Sequence, residues 1–269
     1  MSDLRFTPGL SGLVEELRRA AHFLWERGWA EANGGNLSVD VTEHVSAMPD
    51  GADWIDLPSA YPALAGRVFL VTGSGRRFRD FASDSESNAC ILVLDDQGRR
   101  RRMLWGGHDD PGFKPTSELP SHLKIHEHLR TTGAREKLVL HTHPTELVAL
   151  SHLPEYQTEA ALSRVLWGML PEVKVLLPKG TGLAPYALPG SLKLAELTLE
   201  ALHRGHRTVV WTMHGCLATG ADVMEAFDLI DTLNKAARMV LMIRAAGGEP
   251  HGLSDAMLAE LVQAFGLKE

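Results

Sequence analysis

Two apolar runs on either side of a short polar turn constrain the fold of this chain most. Residues 91–94 and 102–105 flank Asp96-Gln-Gly98, the pattern of an antiparallel hairpin. Because a hairpin cannot belong to an all-parallel sheet, we expect an α/β domain whose central sheet is mixed or antiparallel and is layered with helices. No linker interrupts residues 1–269, which are treated as one domain.

Periodicity predicts the remaining elements. Apolar residues recur at helical spacing in residues 13–25, and further helices are predicted at 115–130 with a hydroxyl residue as N-cap, directly after Pro144, and at 191–204, 222–245 and 254–265. Short apolar runs predict strands at 68–71, 137–140, 173–177 and 208–211. Residues 41–66 carry three prolines and are predicted to be irregular or partly helical.

Composition narrows the classes of function. A formal net charge of −7 argues against a nucleic-acid partner, and an anionic substrate would have to be held by local donors. No apolar run is long enough to cross a membrane, so no membrane partner is expected. Two cysteines make no disulfide framework and suit a reducing compartment. With no export signal at the N-terminus, the expected location is the cytoplasm.

Three histidines end apolar runs. His141 and His143 are two residues apart at the end of one predicted strand, so both side chains point to the same face. His214 ends the run at residues 209–213. Three imidazoles would leave a coordination position open on a catalytic metal ion. The other histidines, His122 and His126 among them, are expected to be structural or solvated.

Three short loops carry glycines and neutral hydrogen-bond donors. They are Asn33-Gly-Gly-Asn36, Thr72-Gly-Ser-Gly75 and Thr116-Ser117. Each alone is compatible with an ordinary turn, but together they could hold a phosphate. Glu118 either complements the dipole of the predicted helix or, if the loops and the metal face one cleft, acts as general acid/base. Cys216 could be a soft metal ligand, although we expect a small buried residue.

The motifs together resemble the class II aldolase/adducin family. The resemblance rests on residues 33–38, 71–75, 115–120 and 166–172, His141-x-His143 and His214-Gly, and runs over nearly the whole chain except residues 41–66 and 107–114. It implies a three-layer α/β/α domain in a homo-oligomer, usually a tetramer. The site residues it implies are His141, His143 and His214 on one Zn²⁺, Asn33, Asn36, Ser74, Gly75, Thr116 and Ser117 on phosphate, and Glu118 and Glu172 in catalysis.

The activity that the resemblance implies is reversible aldol cleavage of a 1-phosphorylated ketose, with zinc stabilising the enediolate. Glu172 would act in the site of a neighbouring subunit. Glu118 in place of an aspartate disfavours the related 4-epimerases. Two alternatives stay open, namely water loss as in the methylthioribulose-phosphate dehydratases and a non-catalytic adducin-like binder. The retained metal ligands disfavour the binder.

Overall fold

A computed structural model describes residues 7–46, 53–107 and 110–268. Within them, nine strands form one sheet with helices on both faces, which confirms the predicted three-layer α/β/α domain with a mixed sheet. None of the helices in these ranges is long and apolar enough to cross a membrane. Residues 47–52 and 108–109, within the two segments where the family resemblance departs, lie outside the described residues.

The strands and helices are short and alternate along the chain. The strands are β1 (Asn36–Asp40), β2 (Ile55–Asp56), β3 (Val68–Thr72), β4 (Ala89–Leu94), β5 (Arg100–Gly106), β6 (Leu138–Thr142), β7 (Gly182–Ala184), β8 (Thr208–Trp211) and β9 (Gly215–Gly220). The helices are α1 (Pro8–Glu26), α2 (Phe78–Ser83), α3 (Ser85–Asn88), α4 (Leu119–Thr131), α5 (Thr145–Ser151), α6 (Glu159–Met169), α7 (Pro171–Leu176), α8 (Leu192–His203), α9 (Val223–Ala245) and α10 (Asp255–Phe265).

The sheet is antiparallel except at one end. Its strand order is β2-β5-β4-β3-β1-β6-β9-β8-β7, and the pair β7–β8 is parallel. The predicted hairpin is β4–β5, which is antiparallel and has a register irregularity at Ile91/Leu92. The described part of 41–66 contains two short 3-10 helices at residues 42–44 and 62–64 and the two-residue strand β2, and is otherwise irregular, which agrees with the predicted irregular or partly helical segment.

Strand alternation divides the core into two layers. Leu37 and Val39 of β1, like Leu138 and Leu140 of β6, face the layer that contains α1 and α9. The opposite face is covered by α4 and α8 and holds two separate apolar clusters. Buried area on both faces provides the main driving force for folding, since apolar burial contributes about 25 cal/mol per Å².

The predicted strand at 173–177 is wrong, because the segment is the end of helix α7. Pro171 begins this helix, and proline suits the first turn since a backbone N–H at that position would have no partner in the helix. Val173, Lys174 and Leu177 are buried while Leu176 is 42% exposed, which fits one helical turn and not strand alternation, because residues 174 and 176 would share a face in a strand. A largely apolar run of five residues contains too little periodicity to distinguish a helix from a strand.

Three details at other boundaries also differ from expectation. Glu118, not a hydroxyl residue, is the N-cap of α4, and the Thr116 hydroxyl instead accepts the Glu118 N–H at 3.3 Å. The strand before His214 ends at Trp211, which leaves His214 in a turn. Strand β9 was not predicted because two glycines and small residues weaken its pattern.

Candidate metal centre and active-site cleft

The segments with candidate functional residues meet at one edge of the sheet. Since β1 is antiparallel to β3 and β6, its first residue lies at the edge where those two strands end. The register places Asn36 opposite His141. Strand β9 begins at the same edge because it is antiparallel to β6. Thr116 N–H donates to Thr72 O at 2.9 Å, which brings the start of α4 to this edge as well.

His141, His143 and His214 form a compact cluster. One ring nitrogen from each lies within 4.8 Å of the others. The ring centroids are 4.9–5.3 Å apart, and this is close to an equilateral triangle. The buried indole of Trp211 packs on His141 at 4.3 Å and limits rotation of that ring. Among the described residues, no other three histidine, cysteine or acidic side chains converge in this way.

Hydrogen bonds orient two of these rings. His141 Nδ1 donates to Cys216 O at 3.2 Å, and His143 Nδ1 donates to Glu31 Oε1 at 2.6 Å. Each bond fixes the tautomer whose Nε2 lone pair is free to bind a metal. Nδ1 of His214 is buried with no hydrogen-bond partner in the described part of the chain. This donor set and the orphaned nitrogen fit a divalent metal ion.

The turn that carries His214 is held in an uncommon conformation. Met213 has a φ of 62°, in the left-handed region that non-glycine residues rarely adopt. Its N–H donates to the hydroxyl of buried Ser151 at 2.9 Å, and the His214 N–H donates to Trp211 O. Contacts outside the turn therefore stabilise the conformation that presents His214.

Burial favours the neutral form of two of the clustered histidines, His141 and His214. It lowers the pKa of His141 well below the usual range, and His143 and His214 lower it further. It also lowers the pKa of His214 to about 4, with a smaller contribution from His143. Neutral imidazole is the form that binds metal, so ligation requires no proton to be removed at neutral pH.

Two glycines provide the space for the cluster. A Cβ at position 215 would lie 2.7 Å from His141 Cε1 and 2.9 Å from His143 Cδ2. A Cβ at position 34 would lie 2.9 Å from His143 Nδ1. These glycines belong to the Asn33-Gly-Gly-Asn36 and His214-Gly motifs, which explains why both motifs need a residue without a side chain.

A cleft of about 320 Å³ joins the cluster to the three donor-rich loops. Asn33, Ser74, Gly75 and Ser117 are exposed along it, whereas Thr116 is buried. The Ser74 N–H donates to Lys114 O at 2.8 Å, so the free donor of Ser74 is its hydroxyl. Neutral hydroxyls, amides and glycine backbone suit an anionic group in a chain of negative net charge.

Glu118 and Asn36 lie between the loops and the histidines. Both line the cleft, and Asn36 Nδ2 donates to Glu118 Oε2 at 2.9 Å. Burial raises the pKa of the Glu118 carboxyl, an effect that Asn36 and His143 partly offset. A carboxyl with a raised pKa beside a candidate metal-binding cluster is suited to take up and release a proton.

Three other residues differ in their relation to the cleft. Glu172 is exposed in the first turn of α7 and does not line this cleft. Glu31, which the sequence analysis missed, lines the cleft and binds His143. Its position just before the glycine loop at residues 33–36 was the one sequence feature that could have indicated a role in the site. Cys216 is fully buried in the core and serves the site through its backbone carbonyl.

Comparisons with known proteins find similarity along nearly the whole chain. Residues 15–241 match the family model described as Class II Aldolase and Adducin N-terminal domain. The chain is 37% identical to a rhamnulose-1-phosphate aldolase of Bacteroides thetaiotaomicron, with 99% of this chain and 98% of that protein covered. It is 36% identical to a rhamnulose-1-phosphate aldolase of Pectobacterium atrosepticum, over 96% and 94% of the two proteins.

A solved structure is also similar over most of the chain. It is a sugar-phosphate aldolase from Thermotoga maritima, with a TM-score of 0.76 and 32% sequence identity. The match covers 91% of this chain and 100% of the Thermotoga maritima chain.

Gly215→Ala should weaken metal binding, because the added methyl group collides with the rings of His141 and His143. We expect the metal Kd, measured by competition with a chromophoric chelator, to rise about tenfold or more, as for other disturbed metal surroundings. Gly12→Ala is the matched control, since a Cβ there meets nothing within 4 Å. Equal metal affinity of the two variants would contradict the packing argument.

Proposed function

The chain belongs to the class II aldolase and adducin N-terminal domain family, and we propose that it is a metal-dependent aldolase that cleaves L-rhamnulose 1-phosphate to dihydroxyacetone phosphate and L-lactaldehyde. The observation that carries the proposal is the single cleft that contains a three-histidine cluster, a buried carboxyl and three phosphate-suited loops. The relatives named above, at 36–37% identity over nearly their full length, support the choice of substrate.

We assign one Zn²⁺ to His141, His143 and His214. Three neutral nitrogen donors with room for further ligands are the set that catalytic zinc sites use. When bound, the ion supplies Lewis-acid stabilisation of negative charge on the substrate oxygens.

The donor loops are assigned to the phosphate. Asn33, Ser74, Gly75, Thr116 and Ser117 would hold it through neutral donors at one end of the cleft. Asn36 remains a phosphate candidate through its second amide N–H, since the first donates to Glu118. Binding at this end directs the carbon chain of the ketose toward the histidines and Glu118.

We assign each of the two proton transfers of the reaction to a different carboxyl group. Breaking the C3–C4 bond requires a base for the C4 hydroxyl proton, and we assign this role to Glu172 of the partner subunit. The remaining enediolate requires a proton at C3, which Glu118 supplies. In the synthetic direction Glu118 removes the same proton. The raised pKa of Glu118 favours a carboxyl that can act in both directions.

Glu172 leads us to propose a cyclic homotetramer. The family resemblance implies that Glu172 acts in a neighbouring subunit's site within a tetramer, and its exposed position outside the cleft of its own chain is compatible with that role. In a ring of identical heterologous interfaces, every site receives one such residue. We place the enzyme in the cytoplasm, where its two free, buried cysteines would stay reduced.

Cleavage of two ketose phosphates tests the proposed substrate. Purified zinc-loaded protein should release dihydroxyacetone phosphate from L-rhamnulose 1-phosphate faster than from L-fuculose 1-phosphate, measured by coupled reduction of the product. Faster cleavage of the second compound would change the substrate assignment. Water loss from methylthioribulose 1-phosphate, with no aldehyde released from either ketose, would favour a dehydratase.

Glu118→Gln tests the acid/base assignment. The amide keeps the shape and the contact with Asn36 but cannot transfer the proton, so kcat for cleavage should fall by ~10²–10⁴-fold. Metal content and KM should stay near those of the parent, as shown by elemental analysis and steady-state kinetics. A variant that cleaves at nearly the parent rate would leave Glu118 as a helix-terminal charge.

Mixed oligomers test the placement of Glu172. His143→Ala and Glu172→Ala chains are each expected to be inactive alone. After co-expression and joint purification they should regain part of the parent activity, because some interfaces pair an intact histidine cluster with an intact Glu172. Mixed oligomers no more active than either variant alone would place Glu172 outside the partner's site.

A further inference from the structure

A buried row of polar side chains extends from Glu118 along the interface of α4 with β1. The row consists of Asn36 and Ser38 on the strand, Glu118 at the start of the helix, and His122 and His126 along it. Four helical residues advance about 6 Å and two strand residues about 6.6 Å. Because these two distances are similar, side chains from the strand and from the helix alternate along the row and can contact one another.

Hydrogen bonds connect the row. Asn36 Oδ1 lies 2.5 Å from His122 Nε2, while its Nδ2 donates to Glu118. Ser38 Oγ lies 2.7 Å from His122 Nδ1 and 2.8 Å from His126 Nε2. Asp40, two residues beyond Ser38 on β1, accepts a hydrogen bond from Arg67 Nε at 2.9 Å and does not join the row. Glu118 is thus connected to His126 through Asn36, His122 and Ser38.

This row replaces apolar packing in the middle of a core layer. His122 is fully buried, and Ser38 and His126 are 1% and 4% exposed. Leu119 and Leu123 belong to one apolar cluster on this face and Ile125 and Leu129 to the other, so the histidines lie between the two. Burying polar groups where leucines would fit costs stability unless every donor and acceptor is satisfied.

The bonds have one consistent direction when Glu118 is ionised. Burial lowers the pKa of His122 to about 3 and that of His126 to about 4, so each ring is neutral and has one donor and one acceptor nitrogen. A carboxylate can only accept, which makes Asn36 Nδ2 the donor and Asn36 Oδ1 an acceptor. His122 Nε2–H must then donate to Asn36, and the Ser38 hydroxyl must donate to His122 Nδ1.

We propose that His122 is a positioning residue for Glu118, which rests on the acid/base role proposed above. An asparagine amide can turn over at little cost, and the turned amide would set its oxygen against the carboxylate. The His122 N–H opposes that orientation because it needs the Asn36 oxygen as its acceptor. Ser38 and His126 in turn hold His122 in the required tautomer. The row thereby holds the Glu118 carboxylate in one orientation, and His122 itself does not line the cleft.

Apolar replacement of His122 tests the proposal. In zinc-loaded His122→Phe, which keeps a ring but loses the N–H, kcat for cleavage should fall about tenfold or more, with KM within about twofold. Exchange of the C3 proton of dihydroxyacetone phosphate with solvent deuterium should fall in parallel, because that step uses Glu118 alone. His122→Leu is a second variant with the same expectation, should the first not fold.

Two further variants separate positioning from a structural role. His122→Gln should recover most of the lost rate, since its amide N–H can reach Asn36. His128→Gln is the matched control, a half-buried histidine of the same helix that contacts His203 outside the row, and it should cleave at about the parent rate. Equal losses in the phenylalanine and glutamine variants of His122, or a loss in the control, would overturn the proposal.

A double variant locates the effect at Glu118. If His122 acts through Glu118, Glu118→Gln combined with His122→Phe should be no more than about twofold slower than Glu118→Gln alone. Multiplied losses, or parent rates in both apolar variants of His122, would overturn the positioning role and leave the aldolase assignment intact. Parent rates in Glu118→Gln itself would instead overturn the acid/base role, and the positioning role with it.

Discussion

The pairing of β6 with β1 on one side and β9 on the other is the interaction on which the site depends. Its register sets Asn36 beside His141 and places the turn with His214 next to the end of β6. The strand is buried on both faces and central in the sheet, so its position is strongly determined. A slip of one residue in the pairing register would move every side chain of β6 to the opposite face and would separate His141 from His214.

Burial sets the chemistry of the cleft in two opposite ways. It disfavours charge on the imidazoles, which lowers the pKa of His141 and His214 and leaves them ready to bind metal. It also disfavours charge on Glu118, which raises the pKa of that carboxyl. Burying polar groups without partners costs stability, and hydrogen bonds to Cys216 O and to Asn36 offset that cost for His141 and Glu118 respectively.

Local sequence patterns were sufficient to predict part of the candidate site. His141 and His143 could be paired from strand alternation, and glycine loops could be recognised as close approaches of the backbone. Glu31 and His122 were not predicted as site residues, because Glu31 contacts His143, 112 positions away, and His122 contacts Asn36, 86 positions away. Residues 173–177 were misassigned for a related reason, since a short apolar run has the same composition in a helix and in a strand.

The proposed chemistry depends most on the three histidines acting as one metal centre. The direct measurement is metal content by elemental analysis, together with the rate of L-rhamnulose 1-phosphate cleavage, in the parent, in His143→Ala and in His152→Ala, whose histidine is exposed outside the cluster. The parent and His152→Ala should each carry about one equivalent of metal per chain and cleave the substrate, whereas His143→Ala should lose most of both. A full equivalent of metal and undiminished cleavage in His143→Ala would contradict the assignment.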